Sequence, residues 1–210
     1  MEPTIYNPGI YKTPGVYKGA GGIHKGRGVY NDGYDGVSSV EIDGIIYHYK
    51  KIAGKKWLLE DLRNIDNLGI TLDTDVYPYQ SIPKAWKRNG CVLYNSYCQD
   101  ILNNLKTGWR LPTYNDFHAL FLEFNNFSDK LKAENFNGNN ETGFNFFGYG
   151  DISGDIAMPL VYLNYGIFGT LLGEIENNDV PAIRIFKGNS TIQERIVNVE
   201  FGYQVRLCSD

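Results

Sequence analysis

Residues 37–59, VSSVEIDGIIYHYKKIAGKKWLL, alternate apolar and polar side chains across two glycine-containing turn pairs, Asp43-Gly44 and Ala53-Gly54. A strand shows successive side chains to opposite faces, so a period of two interrupted by such pairs constrains the chain to an antiparallel meander. The pattern predicts a strand near 38–42, a hairpin, a strand near 45–52 and a third around 56–59.

Further along the pattern changes. Residues 64–88, with Pro78 and Pro83, read as irregular. Tyr97, Ile101, Leu102 and Leu105 recur at helical spacing and predict a helix over 94–106. Thr113 is placed to cap a second helix, with Asp116 near its positive end and Phe117, Leu120, Phe121 and Phe124 as its core-facing stripe. Residues 135–155 are rich in Asn and Gly and read as long loops. Short strands are expected near 159–164, 182–187 and 194–207. Sheets with two middle helices and long loops indicate an α+β fold.

Before Val37 the texture is different. Ile5-Tyr6, Ile10-Tyr11, Val16-Tyr17, Ile23-His24 and Val29-Tyr30 repeat one theme, their starts 5, 6, 7 and 6 residues apart. Residues 1–36 also hold nine of the 24 glycines and three of the eight prolines. No window there has a period long enough to bury a face, so the segment is not expected to fold alone. Aromatic groups supply large contact area at little entropic cost, and glycine and proline let the backbone follow an irregular surface. The expected role is an extended docking arm, of reach on the order of 120 Å, that orders on a partner. The chain is thus read as an arm, 1–36, and one domain, 37–210.

Bulk properties exclude several classes. The net charge is −4, divided as +1 in residues 1–36 and −5 in the remainder, which argues against a general nucleic-acid binder. No run approaches the roughly 18–20 apolar residues of a membrane helix, so no membrane insertion is expected. The opening MEPTIYNPG lacks a basic and an apolar region, so no secretory signal is expected. Cys91, Cys98 and Cys208 form no CxxC pair and read as free, partly buried thiols. No nucleophile elbow, H-E-x-x-H, phosphate-binding loop or EF-hand loop is present. Gly148-Tyr149-Gly150 begins a dinucleotide fingerprint but reaches Ser153 instead of its last glycine. His24, His48 and His118 are scattered and read as structural. The chain is not expected to be an enzyme or to carry a cofactor or metal. Asp151, Asp155, Glu174, Glu176 and Asp179 are the loop acids that calcium would use, and read first as solvated. The loops Asn135–Asp155 and Asn164–Asp179 carry the Tyr, Phe, Asn and Asp that suit a glycan or protein contact.

Four segments of the domain resemble the Fibrobacter succinogenes major paralogous domain, a C-type-lectin-like fold related to the formylglycine-generating enzyme. Trp57-Leu58-Leu59-Glu60-Asp61-Leu62-Arg63 is similar to the family's W-x-x-E-N-L-R strand. Gly108-Trp109-Arg110-Leu111-Pro112-Thr113, with Asp116-Phe117, is similar to its G-W-x-L-P-[ST] entry to a helix. Thr142-Gly143-Phe144-Asn145 matches the step after that helix, and Gly202-Tyr203-Gln204-Val205-Arg206 the closing G-x-x-V-R. The resemblance implies a C-type-lectin-like domain with two helices and antiparallel sheets, with Trp57 and Trp109 anchoring its core. Where the family often has a cysteine before its G-W this chain has Lys106-Thr107, and Cys208 falls one position late after Leu207, which argues against the family's disulfide. The calcium-dependent sugar motifs and the oxidase's reactive cysteine pair are absent, so neither activity carries over.

The arm in turn resembles the N-terminal segments of head-fibre proteins of phages of gut Bacteroidales. The two resemblances imply a structural virion protein, made in a host cytoplasm. Its arm would grip the capsid or another virion protein, and its head would stand ready for a host surface glycan or protein. A homo-oligomer, trimer or dimer, follows from the habit of fibres. The alternative is a bacterial surface interaction protein, the usual setting of the paralogous domain.

Overall fold

The computed structural model describes residues 15–19, 22–26, 36–63, 69–72, 82–88, 91–153 and 161–210. In chain order the strands are β1 (Gly15–Gly19), β2 (Gly22–Gly26), β3 (Val37–Ile42), β4 (Ile45–Ile52), β5 (Lys55–Leu58), β6 (Thr71–Leu72), β7 (Lys84–Arg88) and β8 (Cys91–Tyr94). Two helices follow, α1 (Gln99–Asn103) and α2 (Tyr114–Glu123). The remaining strands are β9 (Asp151–Ser153), β10 (Val161–Leu163), β11 (Phe168–Leu172), β12 (Pro181–Phe186), β13 (Ile192–Ile196) and β14 (Cys208–Ser209). The architecture is α+β, with sheets antiparallel except for the pair β6–β7.

The meander forms as its pattern predicts and becomes the middle layer. Asp43 and Gly44, then Ala53 and Gly54, have positive φ at both turn positions, so each two-residue loop twists in the same hand as the strands it joins. The sheet runs β14-β5-β4-β3. One face presents Ile42, Tyr47 and Leu58 to a first apolar cluster that includes Leu62, Tyr94, Leu102, Trp109 and Val205. The other presents Val37, Ile52, Trp57 and Cys208 to a second that includes Phe117, Leu120, Phe136, Phe144 and Ile183. Both faces of this sheet therefore carry part of the core, while Glu41, Ile46, Lys51 and Lys56 remain exposed at its margins.

Helix α2 starts on a reciprocal cap. The Thr113 hydroxyl accepts from Asp116 N at 3.3 Å, and the Asp116 carboxylate accepts from Thr113 N at 2.9 Å. Phe117 and Leu120 are fully buried, and Phe121 and Phe124 cover the margin of the second cluster.

Several expectations fail. The helix predicted over 94–106 is confined to a 3-10 turn, Ser96–Cys98, and α1, because Tyr94 pairs as strand with both Ala85 and Tyr203. The stretch read as irregular to residue 88 ends in β7. The predicted loop Asn164–Asp179 holds β11, all five of whose residues are buried. Where both faces of a strand are buried, no alternation marks it. The strand expected over 194–207 stops at Ile196, and residues 202–208 instead run as a seam. Gly202 pairs with Ile152, Tyr203 with Tyr94, Gln204 with Leu171, and Cys208 with Trp57 and Arg110.

In the arm, β1 and β2 form an antiparallel ladder from Gly15↔Gly26 to Gly19↔Gly22 and join no other described strand. The sequence period indicates no element there.

Close backbone approach locks the loops to the sheets. A Cβ on Gly148 would lie 2.4 Å from Phe168 C and 2.5 Å from Phe136 Cζ. Gly148→Ala is expected to cost about 3 kcal/mol or more, read as a lower urea midpoint at unchanged slope.

Candidate functional site

The four motif segments meet in the interior. Trp57 of the first stacks on Phe117 of the second at 6.1 Å and meets Phe144 of the third edge-on at 5.8 Å. The Arg206 guanidinium of the fourth lies over Phe144 at 4.5 Å and donates to Asp61 of the first at 2.5 Å. Asp61 also accepts from Gln204 at 2.7 Å, and Gln204 reaches Phe147 O and Tyr149 N. Arg206 further donates to the carbonyl of Phe144. The charged and amide groups of Asp61, Gln204 and Arg206 hold distant segments together, while the Trp57 indole N–H is buried without a partner among the described residues.

The other buried charges are used the same way. Asp151 accepts from Arg184 at 2.5 Å and from Thr170 at 3.0 Å. Burial pushes its carboxyl up to about 6 against the pull of those two groups. Lys132, 1% exposed, pairs with Asp129 at 2.6 Å and donates to the carbonyls of Phe186 and Asn189. His48 meets Glu60 at 2.7 Å, and His118 meets Glu194 at 3.0 Å. The three cysteines are free and buried. Burial pushes the Cys98 and Cys208 thiols up to about 12 and raises Cys91 as well, which withdraws the thiolate a nucleophile or metal ligand needs.

The calcium candidates separate. Asp151 is committed to Arg184; Glu174 accepts from Asn103 at 3.2 Å; Glu176 accepts from Tyr114 N at 2.7 Å. Glu176 and Asp179 exchange backbone bonds across a turn of left-handed Asn177 and Asn178, and Asp155 lies outside the described residues. Among the described residues no three His, Cys, Asp or Glu side chains gather as a metal site. Nor is any helix there long and apolar enough to cross a membrane.

The two loops read as a ligand surface do converge, but most of their aromatic groups face inward. Phe136, Phe144, Phe146, Asn145 and Phe168 are buried. What reaches the surface is a tip. Gly166 N bonds Gly148 O and Gly150 N bonds Phe168 O, both at 2.9 Å, and Ile167 N closes a turn on Asn164 O. Tyr165 and Ile167, 46% and 56% exposed, stand on this turn. Tyr165 leans on Phe147 at 5.7 Å and Tyr149 at 6.1 Å. The grouping was hidden in the sequence because its members come from both loops.

Of the arm residues, Val16 and Tyr17 lie in β1 and Ile23 and His24 in β2, with Tyr17 opposite His24 in register. Ile5, Tyr6, Ile10, Tyr11, Val29 and Tyr30 lie outside the described residues. Comparison with known protein families, curated proteins and solved structures finds no match to this chain.

Two outcomes follow from these charges. At pH 8 a thiol near 12 is ionised to about one part in ten thousand, so Ellman's reagent should find almost no reactive thiol in the native protein and three after guanidinium unfolding. Burial alone would raise Asp116, but bonds from Arg110 and Thr113 outweigh it and hold the carboxyl down at about 2. A lowered carboxyl stabilises the fold above its unfolded value of 3.8 and loses that contribution as pH falls towards 2. Asp116→Asn should lower stability by on the order of 2 kcal/mol at neutral pH and flatten the acid limb between about pH 4 and 2 in thermal melts.

Proposed function

We propose that this chain is a structural virion protein of a bacteriophage, a head fibre or decoration protein. Residues 1–36 anchor it to the capsid or another virion protein, and residues 37–210 form a C-type-lectin-like head that adheres to host surface glycans or proteins. The observation that carries the reading is the contrast between the two parts. The arm spaces five β-branched–aromatic pairs on glycine and proline. The head spends its buried charges and thiols on its own cohesion.

The lectin-like assignment of the head is supported by the meeting of its four motif segments around Phe144 and Asp61. The rigid Tyr165–Ile167 tip supports adhesion, since a pre-ordered aromatic loses little entropy on contact. Assembly as a trimer or dimer belongs to the same proposal.

The test is a density gradient of a producing culture, probed for the full chain and for residues 37–210. Full-length protein should band with virus-sized particles and the shortened form should not. Replacing Tyr6, Tyr11 and Tyr17 by Ala should weaken attachment without lowering the melting temperature. Recovery of both forms in the soluble or envelope fractions would leave the bacterial surface-protein reading, which the paralogous-domain resemblance favours.

A further inference from the structure

Lys50-Lys51-Ile52-Ala53-Gly54-Lys55-Lys56 sets four lysines around one tight turn of a chain with net charge −4. The β4–β5 register places Lys51 directly across from Lys56. Ladder hydrogen bonds alternate along such a pair, and His48 O accepts from Leu59 N at 2.8 Å. Counting by twos from that bond puts 50/57 and 52/55 among the hydrogen-bonded pairs. Lys51 and Lys56 therefore form a non-hydrogen-bonded pair, the kind whose side chains stand closest. Both are exposed.

Like charges directly opposed on a sheet are unfavourable unless something neutralises them. The neighbouring Lys55 is neutralised, by Asp116 at 3.6 Å and by Asp210. Neither Lys51 nor Lys56 has an ion pair or side-chain hydrogen bond among the described residues. Ser209 of β14 lies across Lys56 on its other side. One sheet face thus runs Lys51, Lys56, Ser209 over three strands, two ammonium groups and a hydroxyl spanning roughly 10 Å at the usual strand spacing. Along the same face Tyr49 borders the row, its ring edge-on to Trp109 at 5.2 Å. The result is a small positive field on a protein that is otherwise acidic, and such a field selects what approaches it.

We infer that the Lys51–Lys56–Ser209 row is a binding site for the anionic substituents of an acidic polysaccharide. The inference rests on the adhesive reading of the head and names the class of glycan. A carboxylate or phosphate placed between the two ammonium groups removes their repulsion, and the serine hydroxyl is positioned for a sugar hydroxyl or a second anionic oxygen.

The experiment titrates the full-length protein with polygalacturonate, neutral dextran and phosphatidylglycerol vesicles, in low and in moderate salt. Wild type should bind polygalacturonate in preference to dextran and vesicles, and bind it less as salt rises. Lys51→Glu should weaken that binding by at least about tenfold. It should also raise the melting temperature by about 1–3 °C, because Glu opposite Lys56 turns repulsion into attraction. Lys130→Gln, whose exposed side chain pairs with Glu141 and not with the row, should change neither.

Equal binding of polygalacturonate and dextran overturns the inference, as does equal loss in the two variants. Preference for vesicles overturns the polysaccharide as the source of the anion. Unchanged stability in Lys51→Glu overturns the repulsion on which the site is built. The particle gradient reads the virion assignment separately, so a protein that bands with particles yet ignores polygalacturonate loses only this site.

Discussion

The ion pair between Asp61 and Arg206, residues 145 apart in the chain, is the constraint on which the rest of the head depends. Charges this deeply buried are tolerated only when each oxygen and each N–H has a partner, because neither can return to water. Here the partners come from everywhere. Gln204 takes one carboxylate oxygen, Phe144 supplies both a carbonyl and a ring to the guanidinium, and Gln204 also ties Phe147 and Tyr149. The pair cannot form without bringing the end of β5, the long Asn-rich loop and the 202–208 seam to one place.

How much of this could be read in advance depended on whether an element had a wet side. The meander over 37–59 was legible because its turn pairs need left-handed residues and its strands still alternate. Helix α2 was legible because Thr113 and Asp116 announce its start and Phe117 and Leu120 keep a helical period. β8, with all four residues buried, and β11, with all five, offer no contrast between faces and left no trace. The seam was invisible for another reason. Its pairing partners are single residues of β8, β9 and β11, then Arg110 and the start of the short pairing with β5, so no strand-length pattern is required of it.

The asparagines misled in an instructive way. In the loops 135–155 and 164–179 their composition suits a ligand contact, but the backbone gives them, and Asn125 and Asn126 before them, another use. Asn125, Asn126, Asn137, Asn140, Asn145, Asn164, Asn177 and Asn178 all have positive φ, the region that asparagine tolerates best after glycine. Their abundance reflects how often the backbone reverses between buried segments. The exposed Tyr165–Ile167 tip depends on one such reversal at Asn164, so a surface able to touch a partner is a by-product of turns that serve the interior. The motif segments were informative for the complementary reason: Trp57, Phe144 and Arg206 are residues whose size and charge admit few interior solutions, and they found one another.

Synthesis proceeds from one end, and the meander is made early. By the time β5 has left the ribosome its neighbour on one side, β4, is available, while β14 and the seam are about 150 residues from being translated. Through that interval Asp61 has no counter-ion, Trp57 no lid and the outer edge of β5 no ladder. The head is therefore a structure that cannot set piecemeal. Its first-made sheet waits, half assembled and adhesive, for the last-made strand, and a nascent chain of this kind is safest when kept from its neighbours until residue 208 has emerged.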